Sequence, residues 1–375
     1  MLGRRCTALI LAASPGDRMR SSSPQALHEL CGRPMLQYAI ESLESVQPER
    51  IVVVLGDGAD RVAKALSGRA TDLRLMIAEQ HTGRGSAHAA LVGLDSLAES
   101  AAGDVCVGGG VNDYDDDPDV IVLPGNLPLL HPELVAELVA AHRAEGAAAT
   151  VLASPPGAGA GFGHLVPGND PALVQRVVPA TTSLADPWLS HLGVTVVRMS
   201  LLAPALRRVR PDPVTGEFDF DGMVEVLDNA GHQVRVFQTD DRDAAQPVDD
   251  RVQLAAVEAT LRRRINRHWM SQGVTMVDPE RTYVDATVTL SADVTVLPGS
   301  VLQASTVIGP RAEIGPDTHL VDCAVGSDAI VSKTVGRDAE VGEAARVGPF
   351  AVLEPGSHVA PATVTGPFHH GVATD

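Results

Sequence analysis

Aromatic residues make up only 3% of this sequence, too few for the stacked platforms on which single-stranded nucleic acids are bound. Cysteine is scarce as well. Cys6, Cys31, Cys106 and Cys323 form no CxxC pair and no short repeated spacing, so they frame neither a zinc site nor a disulfide scaffold, and a reducing cytoplasm suits them. No apolar run approaches the roughly 18–20 residues of a membrane-spanning helix, and no membrane partner is expected. Arg4 and Arg5 precede the apolar stretch Cys6 to Ala13, but that stretch is short for an export signal, and Ser14-Pro15-Gly16 reads as the turn after a buried strand. Positive charge is in deficit too: 29 Lys and Arg against 47 Asp and Glu leave a net charge of −18, which repels polyanions. Nucleic acid is therefore not expected as a partner.

What is present is the composition of a folded chain: 375 residues, 45% hydrophobic and 20% charged, with a mean hydropathy of +0.08. That length suits two or three domains with a sizeable core. Through the first 250 or so residues, short apolar runs alternate with longer amphipathic stretches, the pattern of βαβ units. Strands are expected at Thr7–Ala12, Ile51–Leu55, Leu73–Ala78, Val120–Leu123, Thr150–Leu152, Val194–Val197 and Gln233–Phe237. Their apolar runs lack alternation, as in a parallel sheet covered on both faces. Helices are expected at Leu36–Ser45, Ala59–Leu66, Ala87–Leu97 and Pro132–Glu145. Two segments interrupt the rhythm. Ala102–Asp119, with its glycine run and many aspartates, reads as a solvated insertion that lacks the glycine and terminal glutamate of an EF-hand calcium loop. Ser154–Gly163 reads as a loop rich in Gly, Ala and Pro.

A helix-period run from Val252 to Ile265 makes a natural connector, and its arginines, Arg262, Arg263, Arg264 and Arg267, read as a solvated helix face. Beyond Val284 the period changes again. Ile308-Gly309, Ile314-Gly315, Val325-Gly326, Val335-Gly336, Val341-Gly342 and Val347-Gly348 give the aliphatic-then-small pairing of hexapeptide repeats, in which one aliphatic side chain per repeat points into a parallel β-helix. Val284–Val359 then makes roughly four coils at about 18 residues each. So short a repeat array gains stability by self-association, and a homotrimer is expected.

The stretch richest in chemistry is Leu11-Ala12-Ala13-Ser14-Pro15-Gly16-Asp17-Arg18-Met19, followed by Pro24-Gln25-Ala26-Leu27-His28. A buried strand running into a glycine-containing turn can bring backbone N–H groups against phosphates, and a following arginine can pair with them. Here the chain resembles the sugar-1-phosphate nucleotidylyltransferases, in particular the bacterial bifunctional N-acetylglucosamine-1-phosphate uridylyltransferase/glucosamine-1-phosphate acetyltransferase family, which shows LAAGxGTRM, then PKxLH, and ends in a left-handed β-helix. The resemblance covers Ala8 to Val359.

It implies an α/β fold, a doubly wound Rossmann-like nucleotidyltransferase domain (1–249), a linker helix and connector (250–283), a left-handed β-helix (284–359) and a tail (360–375). It implies a nucleoside triphosphate and a sugar phosphate as substrates, and Mg²⁺ as cofactor. Carried over by motif, Arg18 and Gln25 take the catalytic positions, and Leu11, Ala12, Ala13, Gly16, Gln80, Gly85 and Ser86 the nucleotide site. Gly163 and His191 take the sugar site, and Asn126 and Asp249 the metal site. Departures cluster at these same positions. Ser14 replaces a glycine, Asp17 a threonine and Gln25 the phosphate-binding lysine. Ile77 replaces a uracil-reading glutamine, Pro179 a glutamate and His191 an asparagine. Asn126 stands where the family has aspartate and Asp249 where it has asparagine, an exchange that keeps one carboxylate and one amide, both hard donors suited to Mg²⁺; independent change at the two positions is the other reading. Glu354 replaces the arginine that begins the acetyltransferase site, and His369 and His370 lie in the Gly/Pro tail, so acetyl transfer is not expected. Two classes of function stay open: an enzyme that joins a nucleoside triphosphate to a sugar phosphate, and an inactive paralogue that binds a nucleotide or sugar nucleotide or serves as a partner subunit.

Overall fold

The computed structural model describes residues 5–66, 75–103, 117–156, 162–168, 170, 172–180, 182, 188–241 and 243–373. It divides into two units, Met1–His28 with Pro34–Leu254, and Glu29–Arg33 with Ala255–Asp375.

In the first unit the apolar runs become strands β1 (Cys6–Ala12), β2 (Arg50–Leu55), β3 (Leu75–Glu79), β4 (Asp119–Pro124), β5 (Ala149–Ser154), β6 (His164–Pro167), β7 (Val174–Val178), β8 (Leu189–Arg198) and β9 (Val234–Gln238). These make one nine-stranded sheet whose main path runs β9-β5-β8-β4-β1-β2-β3, with β6 on β8 and β7 on β6. β1 lies parallel to both of its neighbours, β2 and β4. β8 departs from the expected parallel pattern, running antiparallel to β4 and β5. Its apolar run is as buried as the others, and an unbroken run reports cover on both faces rather than strand direction.

Helices α1 (Met35–Glu41), α2 (Ala59–Leu66), α3 (Ser86–Gly103), α4 (Pro132–Glu145), α5 (Met199–Leu206) and α6 (Gly222–Asn229) cover the sheet. Successive strand side chains point to opposite faces, so Ile10, Ile51 and Ile121 pack with Leu36, Val62 and Leu138 in one core. Leu9, Val52 and Val122 pack with Ala90, Leu202 and Met223 in the other. The doubly wound α/β architecture follows from that two-sided burial. Most of the acidic insertion, residues 104–116, and the loop residues 157–161 lie outside the described residues.

Helix α7 (Arg251–Ser271) follows, and then three ladders of short parallel strands. They form the left-handed β-helix that the hexapeptide pairs predict. The strands run from Thr275–Met276 to His370–Gly371, past both ends of the expected 284–359. Strict pairs of aliphatic and glycine mark only the middle coils, whereas inward residues such as Met276 and Val296 stack without them. Inward side chains line up coil upon coil, as in Leu290, Ile308, Val325, Val341 and Val359.

Asp119, at the start of β4, is wholly buried. Arg143 Nε donates to its Oδ2 at 2.7 Å, and His142 Nε2 lies 3.5 Å from its Oδ1. Burial alone would raise the Asp119 pKa, but the nearby His142 ring and the hydrogen bond and charge of Arg143 outweigh it and hold the carboxyl below its ordinary value of 3.8. A carboxylate held down in the fold contributes stability that is present above that ordinary value and is lost as pH falls through the lowered one. Asp119→Asn leaves two donors facing a neutral amide and should lower unfolding free energy by about 3 kcal/mol at pH 7, read by urea denaturation. The acid limb of stability against pH should flatten in the same variant; an unchanged limb would mean that Asp119 is not its source.

Candidate functional site

β1 sends the chain to β2 and β3 on one side, and the sheet continues through β4 on the other, so the strand order reverses between β1 and β4. Ligands of open α/β sheets sit beyond the carboxyl ends of the strands at such a reversal. There the structure holds a cleft of about 610 Å³. Leu11, Ala12, Ala13, Ser14 and Pro15 line it from β1, Pro124, Gly125 and Asn126 from β4, and Gln80, Gly85 and Ser86 from the start of α3. The two strand ends approach closely. Gly125 N–H donates to the Leu11 carbonyl at 2.9 Å, and a Cβ at Gly125 would come within 2.8 Å of the Ala12 Cβ.

Of the residues that the resemblance assigns to a nucleotide, Leu11, Ala12, Ala13, Gln80, Gly85 and Ser86 line this cleft and Gly16 does not. Gln80 is buried, its amide donating to the Gly85 carbonyl at 3.2 Å and lying 2.8 Å from His88 Nδ1. Gly85, at φ +93°, sits where any side chain would run into the Phe218 carbonyl. Ser86 Oγ accepts from the Phe220 N–H at 2.8 Å and donates to Asp219 Oδ1 at 3.1 Å. Gly16, at φ +68°, precedes a single 3-10 turn, Asp17–Met19, and packs against Gln25.

Around Asp249 the structure brings together four residues that the sequence singles out. Asn126 Nδ2 donates to Asp249 Oδ1 at 2.9 Å, and Arg18 Nη2 lies 2.9 Å from Asp249 Oδ2. Gln25 is buried, and its amide donates to the carbonyl of Val248 at 2.6 Å. The position of the family's phosphate-binding lysine thus holds a side chain fastened to the backbone beside Asp249.

The sugar-site pair is arranged differently from expectation. His191 is completely buried and is not among the residues lining the cleft; its Nδ1 lies 3.2 Å from Asp221 Oδ2, and Asp221 does line it. Gly163 accepts from the His191 N–H through its carbonyl at 2.9 Å, and its neighbour Phe162 reaches the cleft instead. Both residues therefore act on the cleft through others. Pro179 lines the cleft, whereas Ile77 does not.

Sequence reasoning missed the far wall, formed by Asp212, Glu217, Phe218, Asp219, Phe220 and Asp221. The only sequence signal there is the alternation Asp219-Phe220-Asp221, in which Phe220 is buried while the carboxylates face the cleft. No lysine or arginine is among the described residues that line the cleft. Partial desolvation by the surrounding cleft wall and the Asp221 charge raise the Asp219 pKa above its ordinary value.

Comparison with known proteins agrees with this geometry. The model of the MobA-like NTP transferase domain matches residues 8–274. The chain belongs to the MobA-like NTP transferase family. It is a nucleotidyltransferase, and its relatives include the bifunctional protein GlmU of Mycolicibacterium vanbaalenii, 35% identical over 97% of this chain and 72% of the relative. The bifunctional protein GlmU of a Mycobacterium species is 37% identical over 93% of this chain and 68% of the relative. That of Mycobacterium bovis is 35% identical over the same shares. Among the described residues no helix is long and apolar enough to cross a membrane.

Burial would lower the His191 pKa, but the Asp221 carboxylate, with Asp219 behind it, outweighs burial and holds the imidazole above its ordinary 6.5. A histidine raised in the fold contributes stability that is fully present below its unfolded pKa and lost as pH rises through the folded one. Melting temperature should therefore fall as pH is raised from 6.5 upward, and His191→Gln should remove that slope. A wild-type slope retained in the variant would place its source elsewhere.

Proposed function

We propose that the chain transfers a nucleotidyl group from a nucleoside triphosphate to a sugar 1-phosphate, an acceptor phosphate oxygen attacking the α-phosphorus while pyrophosphate leaves. The observation that carries this reading is the cleft at the β1/β4 reversal, which joins the end of β1 and the turn after it (Leu11–Pro15), the Gln80–Ser86 segment and Asn126 in one cavity. Resemblance makes UTP and N-acetylglucosamine 1-phosphate the first pair to test. In this reading the turn's backbone N–H groups and Arg18 receive the phosphates, Gln80, Gly85 and Ser86 face the base, and Asp219 and Asp221 accept hydrogen bonds from acceptor hydroxyls.

Asn126 and Asp249 fit Mg²⁺ by donor type: one carboxylate and one amide oxygen, both hard donors, held next to each other by the 2.9 Å hydrogen bond from Asn126 Nδ2 to Asp249 Oδ1. That proximity supports the reading in which the reciprocal exchange of identities keeps a ligand pair. When bound, Mg²⁺ would neutralise polyphosphate charge in a cleft otherwise walled by carboxylates.

A second reading, a binding paralogue without turnover, draws on Gln25. Its amide serves the Val248 carbonyl, so the cation that would face the phosphates in the family is replaced by a structural hydrogen bond. A pyrophosphate-release assay separates the two. The enzyme reading expects protein-dependent, Mg²⁺-dependent release with one nucleotide and sugar phosphate pair, and Gln25→Lys should raise it by about tenfold or more. No release from any pair in either protein would leave the binding reading.

We extend the proposal to assembly and location. The chain forms homotrimers through the β-helix face bearing Tyr283, Val301, His319, Val335, Val352 and His370, an outward ladder in which Tyr283, Val335 and Val352 are exposed apolar side chains. It works in the cytoplasm, where its buried thiols stay reduced. Glu354, a carboxylate where the family begins its acetyltransferase site with arginine, supports the absence of acetyl transfer. Sedimentation of the full chain should give a trimer, and Val335→Glu with Val352→Glu should give monomers; a monomeric wild type at micromolar concentration would refute the assembly.

A further inference from the structure

Both oxygens of the Asp249 carboxylate are taken, Oδ1 by the Asn126 amide and Oδ2 by the Arg18 guanidinium. The anion is fixed and the cation is not. Asp249 is held through its own N–H, which donates to Gln253 Oε1 at 2.7 Å, and through Val248, whose N–H donates to the Asn126 carbonyl at 3.0 Å while its carbonyl receives Gln25. Two residues past Asp249, Arg251 Nε donates to the Met19 carbonyl at 3.1 Å. The Asp249 side chain is 19% exposed and that of Arg18 is 70% exposed. A metal ion that needs this carboxylate therefore cannot draw it away; the guanidinium has to leave.

We propose that Arg18 is the resident counter-cation of the Asn126/Asp249 pair: a divalent metal ion reaches Asp249 by displacing the guanidinium, and the displaced guanidinium then serves the polyphosphate. Metal and polyphosphate are thereby coupled through one arginine, in addition to any direct bond between them. The cleft gives this exchange its importance. Its wall presents Asp212, Glu217, Asp219 and Asp221 and no lysine or arginine among the described lining residues, so a polyanion entering it depends on cations supplied from the rim. While paired with Asp249, Arg18 has its charge answered and offers a phosphate little. The guanidinium half of the pair is open to solvent, and a pair so exposed on its cationic side is weak enough for a divalent ion to break. The polyphosphate half of the proposal rests on nucleotidyl transfer as the function; the metal half does not.

The test uses Mn²⁺ as the probe, titrated into the full chain without nucleotide and followed by electron paramagnetic resonance. Arg18→Gln should bind Mn²⁺ about two- to five-fold more tightly than wild type, the factor an exposed ion pair is worth. Arg18→Lys should fall between the two. Arg20→Gln, which removes the same charge from a neighbouring exposed side chain, should change affinity less, and Asp249→Asn should abolish the Arg18→Gln gain. Tripolyphosphate, titrated calorimetrically without metal, is the second probe. Asp249→Asn releases Arg18 permanently and should bind it more tightly than wild type, and Arg18→Gln in that background should erase the gain. Equal Mn²⁺ affinity in wild type and Arg18→Gln, a gain no larger than that of Arg20→Gln, or no Mn²⁺ binding in any variant would overturn the exchange. A wild type that releases no pyrophosphate from any nucleotide would defeat the functional reading separately, with the Mn²⁺ titrations still deciding the exchange.

Discussion

The Asp249 carboxylate has to satisfy two donors from distant parts of the chain, Arg18 and Asn126, while the backbone beside it receives Gln25. That constraint closes the loop between the first strand and the start of α7. The turn after β1 is short and contains Gly16 in a left-handed conformation, and its Met19 carbonyl is held by Arg251, two residues past Asp249. The turn after β1, the end of β4 and the last residues of the sheet unit are thus positioned against one another by a handful of polar contacts around one anion. Hydrogen bonds to charged groups are the stronger ones, and several of these partners are shielded from water.

Charge sets the terms of binding. The cleft carries carboxylates on its far wall, and the whole chain is acidic, yet the family's substrates are anions. A polyanion entering a site of this kind needs positive charge that arrives with it or is supplied from the rim, and the proposed exchange at the Arg18–Asp249 pair would supply it. The carboxylates of that wall are themselves held in place: Asp219 Oδ1 accepts from Ser86 Oγ, and Asp221 stands against the buried imidazole of His191.

The legible parts of this protein are those in which one chemical property repeats. Unbroken apolar runs located the β1, β2, β4 and β5 strands, and the six-residue spacing of aliphatic and small residues located the β-helix, because burial selects for those patterns regardless of what else the chain does. The strands β6 and β7 escaped notice. They are short, partly exposed, and carry His164, Arg176 and Pro167 among their apolar residues. The cleft's far wall was nearly as quiet: apart from the short alternation Asp219-Phe220-Asp221, Asp212–Asp221 has the Asp, Pro, Thr and Gly of a loop.

By itself the sequence determined the two-sided α/β layering, the prism of short strands and the turn at Ser14–Gly16, all consequences of local periodicity and of residues adjacent in the chain. Only the tertiary structure decided what the substituted positions do. It set Asn126 against Asp249 at hydrogen-bond distance, turned Gln25 toward the Val248 carbonyl, and buried His191 behind Asp221 rather than exposing it to ligand. The physical reason is range. Periodic burial is written along a strand or a coil, whereas the partner of a charged or amide side chain is whatever the fold brings within about 3 Å of it, and that partner can lie anywhere in the chain.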